Sequence, residues 1–140
     1  MKIISVRAIE ILDSRGNPTL KPFVTLDDGS VGTASVPSGA STGTHEALEM
    51  RDNNDHFLGT GVQHAVQNVQ TIINSEITGM DINHLDKIDK HILEIDGTDN
   101  KSILGANAIL SVSLACARAF SAYHKTPLWD ALNEYYFDTQ

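Results

Sequence analysis

The sequence is poor in three features that would each assign it to a class. It has a single cysteine, Cys116, set among small apolar residues, which excludes an internal disulfide and a cysteine-rich zinc site and predicts a buried thiol. It has no long apolar run: the most apolar stretch, 106–120, contains polar residues and is too short to span a bilayer. Residues 1–7 lack the apolar core of a secretory signal. Basic residues are scarce: 10 Lys and Arg stand against 18 Asp and Glu, a formal net charge of −8, which argues against a nucleic-acid partner. A soluble, acidic domain from a reducing compartment is therefore expected.

Chain length and composition favour one globular domain. The 140 residues match the usual size of a domain, and 41% apolar with 20% charged residues is typical of a folded chain. Three stretches rich in β-branched and aliphatic residues, 3–12, 19–26 and 31–36, are separated by turn-forming residues and predict a three-stranded antiparallel meander. Pro22 has no N–H to donate, so it predicts that the second strand lies at an edge or carries a bulge.

From residue 45 onward the apolar residues recur with helical spacing. The pattern predicts one helix that begins at His45 and three more over 62–77, 83–95 and 104–123. Thr126, followed by a proline, predicts the start of a last helix that reaches about residue 136. Strands followed by helices, without alternation, indicate an α+β fold in which a three-stranded antiparallel meander precedes a helical bundle.

Residues 37–44 form the segment best suited to binding. They comprise two glycines, two serines, two threonines and no side chain larger than proline. Such a loop is expected to be mobile, brings backbone N–H groups close to an anion and offers hydroxyls to a hard cation or a phosphate. The alternative is a flexible surface connection, which composition alone favours. The segment lacks the Gly-Lys-Ser/Thr ending of a P-loop, and the spacing of Gly39 and Gly43 does not fit a dinucleotide fingerprint.

Two polar turns have both a functional and a structural interpretation. Asp13, Ser14 and Arg15 could provide an acid, a hydroxyl and an anion-binding group. The favoured interpretation is a turn in which Asp13 and Ser14 cap backbone groups while Arg15 pairs with a nearby carboxylate. Residues 96–101 are interpreted as an Asx-rich turn between helices, because the acidic spacing and the closing glutamate of a calcium loop are missing.

No catalytic or metal-binding set can be assembled from spacing alone. The six histidines include no His-x-x-x-His pair, and His84 and His91 lack a third ligand, so scattered surface positions are expected for them. No Ser/His/Asp set and no pair of catalytic carboxylates is supported. The adjacent Tyr135, Tyr136 and Phe137 either pack back on the domain or contact something outside it.

Four longer motifs carry a resemblance to a known family. They are DSRGNPT at 13–19, VPSGASTG at 36–43, HEALEMRD at 45–52 and DGTDNKSILGANAIL at 96–110. In this order and spacing they resemble the N-terminal domain of the enolase (phosphopyruvate hydratase) family over about residues 3–133. The resemblance implies three antiparallel strands followed by helices. It also implies that residues 1–140 are the N-terminal lid domain and that a C-terminal α/β barrel lies outside this chain, as in a fragment, a truncated product or one part of a split enzyme.

The resemblance implies the chemistry of the complete enzyme. Enolases interconvert 2-phosphoglycerate and phosphoenolpyruvate plus water in glycolysis and gluconeogenesis, with two Mg²⁺ ions, a lysine base and a glutamic acid. Two divalent charges stabilise the dianionic carboxylate that develops as the C2 proton leaves. The family also implies a homodimer and a cytoplasmic location, although members can appear on the cell surface or be secreted.

The residues that carry over lie in the loop. By resemblance, Ser41 would ligate the second Mg²⁺ when the loop closes over substrate. The other loop positions would supply the hinge and backbone: Ser38, Gly39, Ala40, Thr42 and Gly43. Because the base, the acid and the carboxylate ligands of the first Mg²⁺ belong to the barrel in this family, no catalytic residue is expected in this chain. The isolated chain is therefore expected to be inactive, with a loop that acts as a gate.

Two positions depart from the family pattern. Ile9 stands where the family often has an arginine, and Lys21 stands where it often has a glutamate, each pairing across the dimer. Exposed ion pairs contribute only about 0–1 kcal/mol each, so the departures leave dimerisation open without its usual ion pairs.

Two further hypotheses remain beside the enolase lid domain. One is a non-catalytic, stand-alone interaction module that engages a partner through a helix face and the Tyr135–Phe137 segment. The other is a decayed product without a role, which the intact loop motif argues against.

Overall fold

Three antiparallel strands form one layer of the domain. The computed structural model describes residues 1–39, 41 and 43–137. Strand β1 spans Ile3–Leu12, β2 spans Pro18–Leu26 and β3 spans Val31–Thr33, in the spatial order β1-β2-β3. The predicted meander is confirmed, although β3 ends three residues before the predicted Val36.

The second strand neither lies at an edge nor carries a bulge at Pro22, since the register shift in its pairing with β1 lies between Ile3 and Ser5 of β1, so that prediction was wrong. Strand β2 is central and pairs with β1 along its whole length, with Pro22 opposite Ala8. Its pairing with β3 stops at Phe23, so no residue of β3 is paired with the proline that lacks an N–H. The Thr33 hydroxyl instead donates to the Pro22 carbonyl oxygen at 2.6 Å. The short third strand thus accommodates a proline in a central strand.

In the described residues, a short 3₁₀ turn at His56–Gly59 and four longer helices follow the sheet. Helix α1 is built from three consecutive segments, Gln63–Asn68, a π-helical turn Val69–Ile73 and Asn74–Ile77, whose junction residues all have right-handed helical dihedrals. Helix α2 spans Leu85–Asp96, α3 spans Ala106–His124 and α4 spans Leu128–Phe137. The predicted α+β order of strands and helices is confirmed. In the described residues, no helix combines the length and apolarity needed to cross a membrane.

Helix α3 is the central element of the core and lies directly on the sheet. Ten of its residues are buried, including Cys116, whose thiol pKa is raised by burial, as expected of an inert structural thiol. The closest approach is at Gly32 in β3. A Cβ atom there would lie 2.1 Å from the Ala115 carbonyl oxygen and 2.1 Å from the Ala119 nitrogen. Only a residue without a side chain allows β3 and α3 to pack at this distance.

The first turn of α1 is capped by carboxylates from outside the helix. The Val62 N–H donates to Glu10 Oε2 at 2.7 Å, and the N–H groups of Gln63 and His64 donate to Asp52 at 2.8 and 2.9 Å. Burial acts to raise the pKa of the Glu10 carboxyl, but hydrogen bonds from Val62 and neighbouring side chains outweigh it and hold the pKa below its usual value. Both carboxylates thereby satisfy N–H groups that no residue of the helix can reach.

The helix predicted to begin at His45 is absent, and residues 46–50 have an irregular, non-helical backbone. The Leu48 N–H donates to the Asn100 carbonyl oxygen at 2.7 Å, and the Leu48 carbonyl oxygen accepts from the Ala106 N–H at 2.8 Å. The Asn107 side chain bonds both backbone groups of Met50, at 3.1 Å each. These tertiary bonds to Asn100 and to the start of α3 replace the local i to i+4 bonds of a helix.

Candidate functional site

The turn between β1 and β2 orients the base of the small-residue loop. Asp13 Oδ1 accepts from the N–H groups of Arg15 at 2.8 Å and Asn17 at 2.9 Å, and the bond from Asn17 is the main reason that the pKa of the Asp13 carboxyl is lowered. Arg15 lies 3.8 Å from Asp13 Oδ2 and donates to the Ser38 carbonyl oxygen at 2.8 Å. The structural interpretation of this turn is confirmed for Asp13 and Arg15 but not for Ser14, whose hydroxyl makes no hydrogen bond to another described residue. The bond from Arg15 links the turn to the loop.

Ser38, the half-buried residue at which the loop leaves the fold, is held by two further side chains. Its hydroxyl donates to Glu49 Oε1 and accepts from Arg51 Nη2, each at 2.5 Å. Arg51 also binds Glu49 at 2.7 Å. Farther along, the Gly43 N–H donates to Glu46 Oε1 at 2.8 Å. The segment 46–52, expected to be a helix, is therefore an irregular stretch whose side chains hold the loop.

An open cleft of about 610 Å³ lies beside the loop. Loop residues, including Ser41, line one side, and Asn107 and Leu110 of α3 line the other. Ser41 is exposed, and no other described residue hydrogen bonds to its hydroxyl. Gly39 and Gly43 are also exposed, while the predictions for Ala40 and Thr42 fall outside the described residues. The geometry leaves the Ser41 hydroxyl available at the rim of a cleft.

The capacity of this site for a metal ion is small. Within 1–39, 41 and 43–137, no three His, Cys, Asp or Glu side chains are grouped so that they could hold an ion. The carboxylates nearest the loop are engaged, since Glu49 binds Ser38 and Arg51 while Glu46 binds Gly43. The Ser41 hydroxyl is a hard oxygen donor of the type that Mg²⁺ accepts. An ion bound there would need further ligands besides the Ser41 hydroxyl.

The Asx-rich turn after α2 is organised by one buried carboxylate. Asp96 is 1% exposed and accepts from the N–H groups of Leu104 at 2.7 Å and Ile103 at 3.1 Å, and from both the N–H and the hydroxyl of Thr98. Burial acts to raise the pKa of this carboxyl, but the bonds from Thr98, Leu104 and Ile103 together hold it below its usual value. The interpretation as a structural turn is confirmed.

Three histidines each contact one carboxylate. His56 lies 2.7 Å from Glu10, His64 lies 3.1 Å from Asp52 and His91 lies 3.2 Å from Glu76. The first two carboxylates are those that cap α1, so these histidines flank a structural cap rather than a reactive centre.

The C-terminal aromatic residues divide between the domain and its surface. Tyr135 packs edge-on against Phe120 with ring centroids 5.5 Å apart, and its hydroxyl donates to Asp86 at 2.5 Å. Tyr136 and Phe137 are 52% and 74% exposed. Packing back on the domain is therefore found for Tyr135, whereas a contact of Tyr136 and Phe137 with something outside the domain stays a prediction.

Ile9 and Lys21 are opposite each other in the β1–β2 register, on the sheet face away from buried Ala8 and Leu20. Ile9 is 50% exposed, and the Lys21 ammonium lies 5.6 Å from the centroid of the Phe23 ring. The two departures from the family pattern therefore share one open surface.

Glu49 and Arg51 belong to the site and were missed by the sequence analysis. Their motif was used only for its resemblance, because a helix, as predicted there, would have placed side chains two positions apart on different faces. In the irregular backbone found instead, both side chains reach the Ser38 hydroxyl, and the sequence alone carried no signal of this.

The comparisons with known proteins agree with the geometry. The family model described as enolase, N-terminal domain, matches residues 3–132. The enolase of Methanopyrus kandleri is 57% identical over 128 residues, which is 91% of this chain and 30% of that protein. The enolase of Campylobacter jejuni subsp. jejuni strain 81-176 is 58% identical over 127 residues, 91% of this chain and 31% of that protein. The chain thus spans about 30% of the length of the curated relatives it matches.

Proposed function

The chain belongs to the enolase N-terminal domain family, and from this premise we propose that it is the loop-bearing domain of an enolase, a lyase that interconverts 2-phosphoglycerate and phosphoenolpyruvate plus water. The place of this activity is glycolysis and gluconeogenesis in the cytoplasm. The observation that carries the proposal is the exposed Ser41 hydroxyl at the rim of the cleft, within the motif that carries the family resemblance.

The residues of this chain act by positioning and by excluding water. Ser41 offers its hydroxyl oxygen to a Mg²⁺ ion whose other ligands, with the base and the acid, come from a C-terminal barrel. When bound, Mg²⁺ supplies positive charge that stabilises the negative charge developing on the substrate carboxylate. The loop, whose Ser38, Gly39, Ser41 and Gly43 line the cleft, would exclude water from the substrate on closing, which strengthens the electrostatic interactions within the site.

A chimera tests the proposal. Residues 3–132 replace the matching segment of the Campylobacter jejuni enolase, and Mg²⁺-dependent formation of phosphoenolpyruvate is followed by its ultraviolet absorbance. The chimera is expected to be active, and Ser41→Ala is expected to lower kcat/KM by at least roughly tenfold to a hundredfold, the loss seen even when a residue that only orients a metal ligand is changed. Thermal stability should hardly change, because the side chain is exposed.

Two controls accompany the chimera. Ser35→Ala removes an exposed hydroxyl three residues before Ser38 and should leave the rate unchanged. The 140-residue chain alone should show no turnover. An inactive, folded chimera, or an active one indifferent to Ser41→Ala, would contradict the proposed role.

The complete enzyme is further proposed to be a homodimer. Ile9 and Lys21 stand where the family often has residues that form ion pairs across the dimer, but each such exposed pair contributes little to the free energy of association. Light scattering of the chimera at micromolar concentrations should report twice the monomer mass. The mass of a monomer at these concentrations would refute dimerisation.

A second candidate is a non-catalytic interaction module. It is favoured by the exposure of Trp129 and Phe137 on α4, 73% and 74% respectively, since large exposed apolar side chains mark interaction surfaces. An active chimera would exclude this candidate as the main function, whereas an inactive, folded chimera would favour it.

A further inference from the structure

Ser38 has an unusually complete set of side-chain contacts for a loop residue. Its carbonyl oxygen accepts from Arg15 at 2.8 Å, its hydroxyl donates to Glu49 Oε1 and the same hydroxyl oxygen accepts from Arg51. All three partner side chains are charged, and hydrogen bonds to charged groups are about twice as strong as bonds between neutral groups. We call Ser38, Glu49 and Arg51 the loop anchor.

Arg51 connects the loop anchor to two other parts of the fold. Its Nη1 donates to the carbonyl oxygens of Pro18 at 2.6 Å and Thr60 at 2.7 Å, while its Nη2 serves Ser38 and Glu49. The guanidinium thus joins the start of β2, the turn before α1 and the loop. The Arg51 and Glu49 side chains are 19% and 35% exposed, so solvent screens this pair less than a fully exposed one.

The part of the loop beyond the anchor is held differently. Gly39 and Ser41 are exposed, and the next described contact is the bond from the Gly43 N–H to Glu46. Ser41 therefore follows a fixed residue by three peptide units. A chain of that length reaches about 10 Å when fully extended, so the position of Ser38 sets the volume that the Ser41 hydroxyl can reach.

We propose that Glu49 and Arg51 are positioning residues that act through Ser38 to fix where the loop leaves the fold, and so where Ser41 can meet its target. What Ser41 does there rests on the proposed function; the anchoring rests on the contacts of the chain itself. A fixed starting point lowers the conformational entropy that must be lost when Ser41 is placed.

The anchoring is tested on the 140-residue chain by ¹⁵N relaxation of the backbone amides. In Ser38→Ala both hydroxyl bonds are lost, while the bonds of Arg51 to Pro18, Thr60 and Glu49 are kept. The order parameter of Gly39 is expected to fall from a value typical of ordered backbone to below about 0.6. Ser38→Thr, which keeps a hydroxyl, should restore it. Unchanged order at Gly39 in Ser38→Ala would overturn the proposal.

A second pair of variants approaches the same bond from the other side. Glu49→Ala removes the acceptor of the Ser38 hydroxyl, and Glu49→Gln keeps an oxygen in its place. Glu49→Ala should lower the order parameter of Gly39 as Ser38→Ala does, and Glu49→Gln should lower it less. Because Glu49 is partly exposed, these variants are expected to fold even if Ser38→Ala does not. Equal order in both Glu49 variants would contradict the anchor.

Positioning is tested in the chimera described above. Ser38→Ala should lower kcat/KM about tenfold, and Ser38→Thr should recover most of the loss, a pattern that general destabilisation would not produce. A loosened loop with unchanged kcat/KM would overturn the positioning role. An inactive chimera combined with a loosened loop would refute the proposed function while the anchoring stands.

Discussion

Gly32→Ala is expected to abolish cooperative folding, or to lower the free energy of unfolding by about 4 kcal/mol or more. The new Cβ atom would lie 2.1 Å from two backbone atoms of α3, at Ala115 and Ala119. Backbone atoms in the middle of a packed helix cannot turn away as the end of a side chain can, so β3 would have to leave α3. Thermal unfolding followed by circular dichroism should show Tm lowered by roughly 10 °C or more.

Gly29→Ala is the matched control for this substitution. Gly29 lies in the hairpin before β3 with φ of +87°, and a Cβ atom there would meet nothing within 4 Å. It should cost only about 1 kcal/mol, from the left-handed backbone alone. Similar losses in the two variants would show that the contact between β3 and α3 is not as close as described.

Asp96→Asn is expected to lower the free energy of unfolding at pH 7 by about 3 kcal/mol. The Asp96 carboxylate is buried and accepts hydrogen bonds from Thr98, Ile103 and Leu104. An asparagine keeps one acceptor oxygen but turns an NH₂ group toward donors, which leaves buried N–H groups without partners. Urea unfolding at equilibrium measures the loss. Asp99→Asn, an exposed change in the same turn, should have little effect.

The pH dependence of the free energy of unfolding, compared between the unsubstituted chain and Asp96→Asn, separates the effect of the Asp96 charge from that of its packing. Because the pKa of Asp96 is lower in the folded state than in the unfolded chain, its ionised form stabilises the fold above about pH 4, and this stabilisation is lost as the pH falls through the folded pKa. Asparagine does not titrate. The difference between the two proteins should therefore narrow below about pH 4, and a constant difference would show that the charge contributes nothing.

The order and type of most elements follow from the sequence because the periodicity of apolar residues and the turn chemistry agree. Helices α2 and α3 fit this pattern, with buried Ile88 and Ile92 in one and ten buried residues in the other. The π-helical turn within α1 leaves no trace in the pattern, because the apolar residues continue through it.

The failures occur where distant groups decide the local structure. Residues 46–50 have the composition of a helix, but their backbone bonds go to Asn100 and Ala106. The central position of Pro22 depends on how far β3 extends, which no local residue shows. At the candidate site, sequence motifs identified the loop and Ser41. The hydrogen bonds of Glu49 and Arg51 to Ser38 could be recognised only from the structure.

The carboxylates that cap α1 have a consequence for how the domain assembles. Glu10, which accepts a hydrogen bond from the Val62 N–H, is 52 positions away from it in the sequence. Asp52 belongs to a segment that is neither helix nor strand. An isolated peptide of residues 63–77 carries neither group, so its first turn would fray in water. The helix start becomes stable only once the entropy of closing that long loop has been overcome by pairing with β1. Sheet and helix are therefore parts of one cooperative unit, and neither is a preformed building block.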